Sequence, residues 1–232
     1  SGKLLDDGRL RAIVPTLQRL SESSVVLLAH QSRPGRTDFT DMSSHCEMLS
    51  EIIGRPIKFV PDVCGDEAIA EISKMTGDDI IFLDNVRGND EEYGSKYASN
   101  EKTESTEIVA RLAAVSDAYV TDAFAAAHRR SPTLTGFTNS KPCIAGNLME
   151  SEISSLRIAL RSPPKPYLAI LGGAKCDDSV RVAKNLISKG QIDKIAFVGV
   201  TGNLMLWIEG NDIGDRNKEF IRNSLGNGFD SA

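Results

Sequence analysis

Three arginine-bearing stretches each follow a short apolar, β-branched run. His30-Gln31-Ser32-Arg33-Pro34-Gly35-Arg36 follows residues 25–29, and Asp84-Asn85-Val86-Arg87-Gly88 follows residues 79–83. Asp122-Ala123-Phe124, continued by Ala127-His128-Arg129-Arg130, follows residues 118–121. Arg9, just before a helix-like run over residues 10–20, is a fourth cationic position. Guanidinium groups match carboxylate and phosphate oxygens with paired hydrogen bonds. One such arginine is ordinarily a solvated loop residue. Arginines at the same end of one sheet on three strands are what an anion pocket requires, because ligands of parallel sheets sit beyond the carboxyl ends of the strands. His30 and His128, taken singly, read as structural histidines.

A different signal is Leu171-Gly172-Gly173-Ala174-Lys175, between an apolar run at 167–171 and a helix starting near Asp178. Glycines allow close backbone approach to a phosphate, a helix N-terminus adds its dipole, and Lys175 adds a point charge. The stretch matches neither the Gly-x-x-x-x-Gly-Lys-Ser/Thr loop nor Gly-x-Gly-x-x-Gly, and a tight strand-to-helix turn would use the same residues. Asp177 and Asp178 suit the helix N-terminus rather than a metal.

The elements that must position these groups alternate. Strands are expected at 25–29, 56–60, 79–83 and 118–121. Helices are expected at 44–53, with Ser44 and Glu47 as a capping box and Gly54 as its stop, at 67–75 before Gly77, and at 105–115. Alternation of this kind predicts a mostly parallel sheet covered by helices, an α/β fold. Helical spacing at 151–161 runs into Ser162-Pro163-Pro164-Lys165-Pro166, which cannot continue a helix. The pattern then restarts with a strand at 167–171, a helix at 179–188 and a strand at 195–198. Two α/β domains are expected: residues 1–150, a junction at 151–166, and a smaller second domain at 167–232.

Composition limits the function. The chain has 232 residues, 27 basic and 32 acidic side chains, a net charge of −5, and 41% hydrophobic residues. That balance suits a globular chain and argues against nucleic-acid or anionic-membrane binding. No apolar run approaches the roughly 20 residues of a membrane helix and no signal peptide opens the sequence. The cysteines (Cys46, Cys64, Cys143, Cys176) form no Cys-x-x-Cys pair, and the three histidines lack zinc-site spacing, so no metal site is expected. A soluble, cytoplasmic protein is expected.

In this order the segments resemble phosphoglycerate kinase over essentially the whole chain. The matching pieces are Gly8-Arg9-Leu10-Arg11-Ala12 with Pro15-Thr16, His30-x-Ser-Arg33-Pro34, Asn85-Val86-Arg87, Asp122-Ala123-Phe124 with Ala127-His128-Arg129, and Leu171-Gly172-Gly173-Ala174-Lys175. Ala125-Ala126-Ala127 and Asp177-Asp178-Ser179 are closer to the archaeal branch. The resemblance implies two doubly wound parallel-sheet domains, the second only partly present. It implies reversible phosphoryl transfer between ATP and 3-phosphoglycerate, in glycolysis and gluconeogenesis, across a cleft that closes by hinge bending. It implies that Arg9, His30, Arg33, Arg87 and Arg129 hold the acid, that Gly172, Gly173, Lys175 and Gly199 lie near the nucleotide, and that Arg9 and Lys175 neutralise charge in the transition state. Magnesium would accompany ATP or ADP, with its ligands outside this chain.

Some expected pieces are missing. The family's first strand is not seen before Ser1, nor its later Asn-Gly-Pro and Gly-Gly-Gly-Asp segments after Ala232, so the chain is expected to be a fragment with doubtful turnover of its own. Ser131 stands where many relatives carry a second histidine, and Ser179 where many carry a second lysine. Two other readings compete: a non-catalytic phospho-acid-binding module, and an isomerase of a phosphorylated acid using His30 or His128 as base. Oligomeric state is left open.

Overall fold

The computed structural model describes residues 6–93, 99–173 and 176–225. The chain divides into two compact units, Ser1–Glu152 and Ile153–Ala232.

In the first unit, α1 (Gly8–Arg19) leads into β1 (Val25–Leu27), α2 (Ser43–Ile53), β2 (Lys58–Val60), α3 (Asp66–Ile72) and β3 (Ile80–Leu83). The strands pair in parallel in the order β1-β3-β2. Every residue of β3 is buried, as its central place requires. Alternate side chains leave its two faces: Ile81 and Leu83 join Val60, Ala68, Ile108 and Leu112, whereas Phe82 joins Leu17, Met42, Cys46 and Leu49. Helices therefore cover both faces, α3 and the later α6 on one side, α1 and α2 on the other.

Short helices follow: α4 (Asp90–Tyr93), α5 (Asn100–Glu104) and α6 (Glu107–Ala114). Next come β4 (Tyr119–Thr121), α7 (Pro132–Thr135), β5 (Cys143–Ala145) and α8 (Asn147–Arg161), which runs across the division between units. Strand β4 pairs in parallel with β5, not with β1, β2 or β3. The expectation of one sheet bearing all three arginine loops is thus corrected: among the described residues the first unit has two separate sheets, β1-β3-β2 and β4-β5. They share a core, because Tyr119 packs against the β3 cluster and stacks on Phe137 with ring centroids 4.7 Å apart.

Helix boundaries shift where caps decide them. The Ser44–Glu47 capping box does not form. Helix α2 starts one residue earlier, the Asp41 carboxylate accepting from Ser43 N at 2.9 Å, and the Asp84 carboxylate from Met42 N at 3.0 Å. Gly54 ends it in the left-handed conformation at φ 66°. Helix α3 stops at Ile72, short of the expected 75, and its first turn is held by Asp62, which accepts from Gly65 N and Ala68 N.

The second unit contains β6 (Leu168–Leu171), α9 (Cys176–Ser188), β7 (Lys194–Phe197), α10 (Gly199–Ile208) and α11 (Asp215–Leu225). Strands β6 and β7 are parallel. Cys176, Leu204 and Ile221 form a buried cluster in it, and Ala183 and Leu186 of α9 are buried as well. On β6, Ala169 is buried while Leu168 and Ile170 are 51% and 65% exposed, leaving one apolar sheet face open.

Candidate functional site

The parallel order of β1 and β3 sends the stretches after both strands to the same edge, and Asn85 joins them there. This asparagine is 3% exposed. Its Oδ1 accepts from Gln31 N at 3.2 Å and Arg87 N at 3.3 Å; its Nδ2 donates to Gln31 O at 2.9 Å and Thr40 O at 2.8 Å. All its hydrogen-bonding capacity is used, which fixes the His30 loop against the Arg87 turn (Val86–Gly88). Arg87 Nη1 donates to Ser32 O at 3.0 Å, and Ser32 holds the left-handed conformation at φ 57° with its hydroxyl on Asp38 at 2.5 Å. That region is unfavourable for a serine, and the bonds to Asp38 and Arg87 hold Ser32 in it.

These loops surround a cleft of about 350 Å³ lined by Arg9, His30, Gln31, Ser32, Arg33, Arg36, Asp38, Arg87 and Arg129. Arg9 enters from the first turn of α1, and Arg129 from the segment after β4. Arg129 Nη1 lies 3.4 Å from His30 Nε2. Guanidinium has no acceptor, so the Nε2 facing it is the bare nitrogen. Among the described residues none of the five lining arginines forms an ion pair, and Asp38 is the single lining carboxylate. The cleft is therefore cationic and unbalanced.

Burial first, then the charges of Arg87, Arg129 and Arg9, push the His30 pKa down to about 4. Burial and the charges of Arg129 and Arg33 lower that of Arg87 as well. Both shifts mark positive charge crowded into a partly desolvated space, the condition a bound anion relieves.

The five residues expected to hold the acid, Arg9, His30, Arg33, Arg87 and Arg129, thus come together at one cleft. His128 does not line it and is exposed. Arg36 does line it but is absent from that set, although it belongs to the same loop. Asn85 was legible only as a motif letter, since its partners at Gln31 and Thr40 are distant in sequence.

In the second unit, Gly172 and Gly173 follow β6 and Gly199 opens α10 just after β7, so they meet at the carboxyl ends of neighbouring parallel strands. A Cβ on Gly172 would lie 2.6 Å from Val198 Cγ2, so this glycine is required by packing. Gly173, at φ 122°, has open space where a Cβ would project, which leaves its backbone approachable. Gly199 is at φ 59°. Ser179 Oγ donates to Gly172 O at 3.2 Å. Asp178 pairs with Arg181 at 2.6 Å. Lys175 lies outside the described residues. No group of three or more His, Cys, Asp or Glu converges among the described residues, so they do not by themselves fit a magnesium ion. No described helix is long and apolar enough to cross a membrane.

The geometry can be set beside known proteins. A profile described as phosphoglycerate kinase matches residues 1–224. Phosphoglycerate kinase of Thermoplasma acidophilum is 41% identical over 226 residues, which are 97% of this chain and 55% of that protein. That of Methanosarcina mazei is 41% identical over 221 residues, covering 95% and 53%. The crystal structure of the Pyrococcus horikoshii enzyme superimposes with a TM-score of 0.90 at 35% identity, over 96% of this chain and 55% of that one. The Coxiella burnetii structure gives 0.70 at 26% identity, over 97% and 57%. The chain therefore spans about half the length of the relatives it matches, and it belongs to the phosphoglycerate kinase family.

Proposed function

We propose that the protein to which this chain corresponds transfers a phosphoryl group reversibly between ATP and 3-phosphoglycerate, giving ADP and 1,3-bisphosphoglycerate. In this reading residues 1–150 hold the acid and residues 167–232 contribute to the nucleotide site, joined by the helix and prolines of 151–166. The carrying observation is the cleft in which five arginines and a neutral histidine face one space, none of the five in an ion pair among the described residues. A phosphate and a carboxylate on one small molecule are the ligand such a surface favours, each oxygen pair taking a guanidinium fork.

Transfer forms a bond from a carboxylate oxygen of the acid to the γ-phosphorus and breaks the bond to the β–γ bridging oxygen, which leaves with ADP. Charge spreads over the equatorial oxygens in that transition state, so orientation and cationic stabilisation do most of the catalysis. Arg33, Arg36, Arg87 and Arg129 orient the acid, His30 supplies a neutral hydrogen-bonding edge, and Arg9, at the cleft's helical rim, is the cation assigned to the developing charge. Gly173 and Gly199 leave backbone accessible to nucleotide phosphates, and Lys175 is assigned the second neutralising charge. Magnesium would travel with the nucleotide.

A phospho-acid-binding module without transfer chemistry is the second reading. It is favoured by Ser179, whose hydroxyl turns onto the Gly172 carbonyl instead of offering a cation. Calorimetric titration of the chain with 3-phosphoglycerate, beside Arg129→Ala, tests the shared acid site. Saturable binding lost in the variant supports it, and equal heats in both would remove Arg129 from it. Turnover in a chain of the relatives' full length separates kinase from module.

A further inference from the structure

A buried carboxylate lies between the two segments that deliver Arg87 and Arg129. Glu92, in the short helix α4, follows the Arg87 turn and is 9% exposed. Its Oε1 accepts from Ser131 Oγ at 2.7 Å and from Thr133 Oγ1 at 2.7 Å, and its Oε2 accepts from Thr133 N at 2.9 Å. All three donors sit just past Arg129, at the start of α7. Hydrogen bonds to an ionised acceptor are roughly twice as strong as neutral ones, and burial raises the cost of losing them. The same carboxylate draws on the Arg87 guanidinium electrostatically. Glu92, Ser131 and Arg130 also border a smaller cleft of about 140 Å³ that shares His30, Arg87 and Arg129 with the main one.

We infer that Glu92 is a positioning residue for the anion cleft, holding the Arg129 segment against the Arg87 segment through Ser131 and Thr133. The inference rests on the acid-binding reading above and adds a residue to it. Arginines in a ligand-free cleft repel one another, and segments carrying them separate unless something fixes them. Glu92 supplies that fixation from outside the lining of the main cleft, its two oxygens taken by Ser131 and Thr133. The cleft is thereby preorganised, and the ligand need not supply the ordering on binding. Ser131 gains a role here: its hydroxyl serves the clamp rather than the ligand.

Two charge-conserving variants test this. Glu92→Asp shortens the clamp by one methylene, and Ser131→Ala removes one of its donors. In the ligand-free protein the His30 ring is titrated by NMR, because its midpoint reports first its burial in the cleft and then how closely Arg87, Arg129 and Arg9 crowd it. Affinity for 3-phosphoglycerate is measured by calorimetry well below each variant's melting temperature. The expected result is a His30 midpoint raised by about half a unit or more in both variants, as separation of the two segments hydrates the ring and draws the arginines away from it. A weakening of binding by about tenfold, the scale of one displaced charged contact, accompanies it.

If both variants melt earlier but keep the wild-type midpoint and affinity, the cluster only supports the fold and the inference is overturned. A moved midpoint with unchanged affinity overturns it as well. Should the wild type itself fail to bind 3-phosphoglycerate, it is the functional reading that fails, and the His30 midpoint alone then decides whether Glu92 sets the arginines. If Glu92→Asp does not fold, Ser131→Ala carries the test.

Discussion

His30 concentrates the electrostatics of the cleft in one ring. In an unfolded chain it would titrate near 6.5; in the fold, burial and three arginines push it down to about 4. Between these values the unfolded chain binds a proton that the folded one refuses, so stability is complete above pH 6.5 and is lost as pH falls towards 4. Urea unfolding at pH 7 and pH 5 should show this loss in the wild type and less of it in His30→Gln. Saturating 3-phosphoglycerate should narrow the wild-type gap, because a bound anion offsets the arginine charge and lets the ring protonate. Equal pH sensitivity in wild type and His30→Gln would mean that the ring is not held neutral by the cleft. Arg33, Arg87 and Arg129 were legible in the sequence because each sits shortly after a strand, and the carboxyl ends of parallel strands converge, whereas Arg9 precedes the first strand, in α1. Asn85, Glu92 and the bond from Thr16 Oγ1 to Asp122 at 2.5 Å were not, since their partners lie tens of residues away and only folding joins them.

At the scale of elements, long amphipathic runs and apolar strands were readable, whereas short helices and cap positions were not. Strand β3 announces itself as four consecutive apolar residues, and each of them is buried. Strand β5 is three residues of Cys-Ile-Ala, all exposed, with no alternation to mark it. Helices α4, α5 and α7 have four or five residues each, too short for a period, and caps supplied by distant elements leave no local mark in the sequence. Glu91, for example, accepts from Glu107 N and Ile108 N and so starts α6 from another element. The one-sheet expectation erred for a related reason: alternation implies parallel strands but says nothing of which ladders close. What binds the elements at the cleft is Asn85, and its replacement has a definite cost. Asn85→Ala strips partners from two backbone N–H groups and two carbonyls and should lower unfolding free energy by about 2–3 kcal/mol, the cost of buried polar groups left unpaired. It should also loosen the His30 loop enough to weaken 3-phosphoglycerate binding. A denaturation midpoint within error of wild type would show that water replaces the amide freely.

For the whole molecule, the two units are unequally built. The first surrounds a fully buried strand with helices on both faces and carries two sizeable clusters, one around Ile81 and Leu83 and one around Phe82. The second rests, among the described residues, on two strands and the buried apolar side chains of Ala169, Cys176, Ala183, Leu186, Leu204 and Ile221, while Leu168 and Ile170 remain exposed on β6. Burial of apolar surface contributes about 25 cal/mol per Å², so the unit that buries less has less to set against its conformational entropy. Opening free energies should therefore differ along the chain, the second unit opening locally at lower cost than the first. Hydrogen exchange of the 232-residue chain tests this directly. Amides of β3 should exchange slowest, near the global unfolding limit, and those of β6 and β7 should exchange at least about tenfold faster, a gap of about 1.4 kcal/mol. Adding 3-phosphoglycerate should deepen protection around residues 30–33, 85–87 and 129, because a ligand stabilises the state that binds it, and should leave β6 and β7 unchanged. Uniform protection across both units would mean that they unfold together. In that case the open face of β6 would have to be covered in solution.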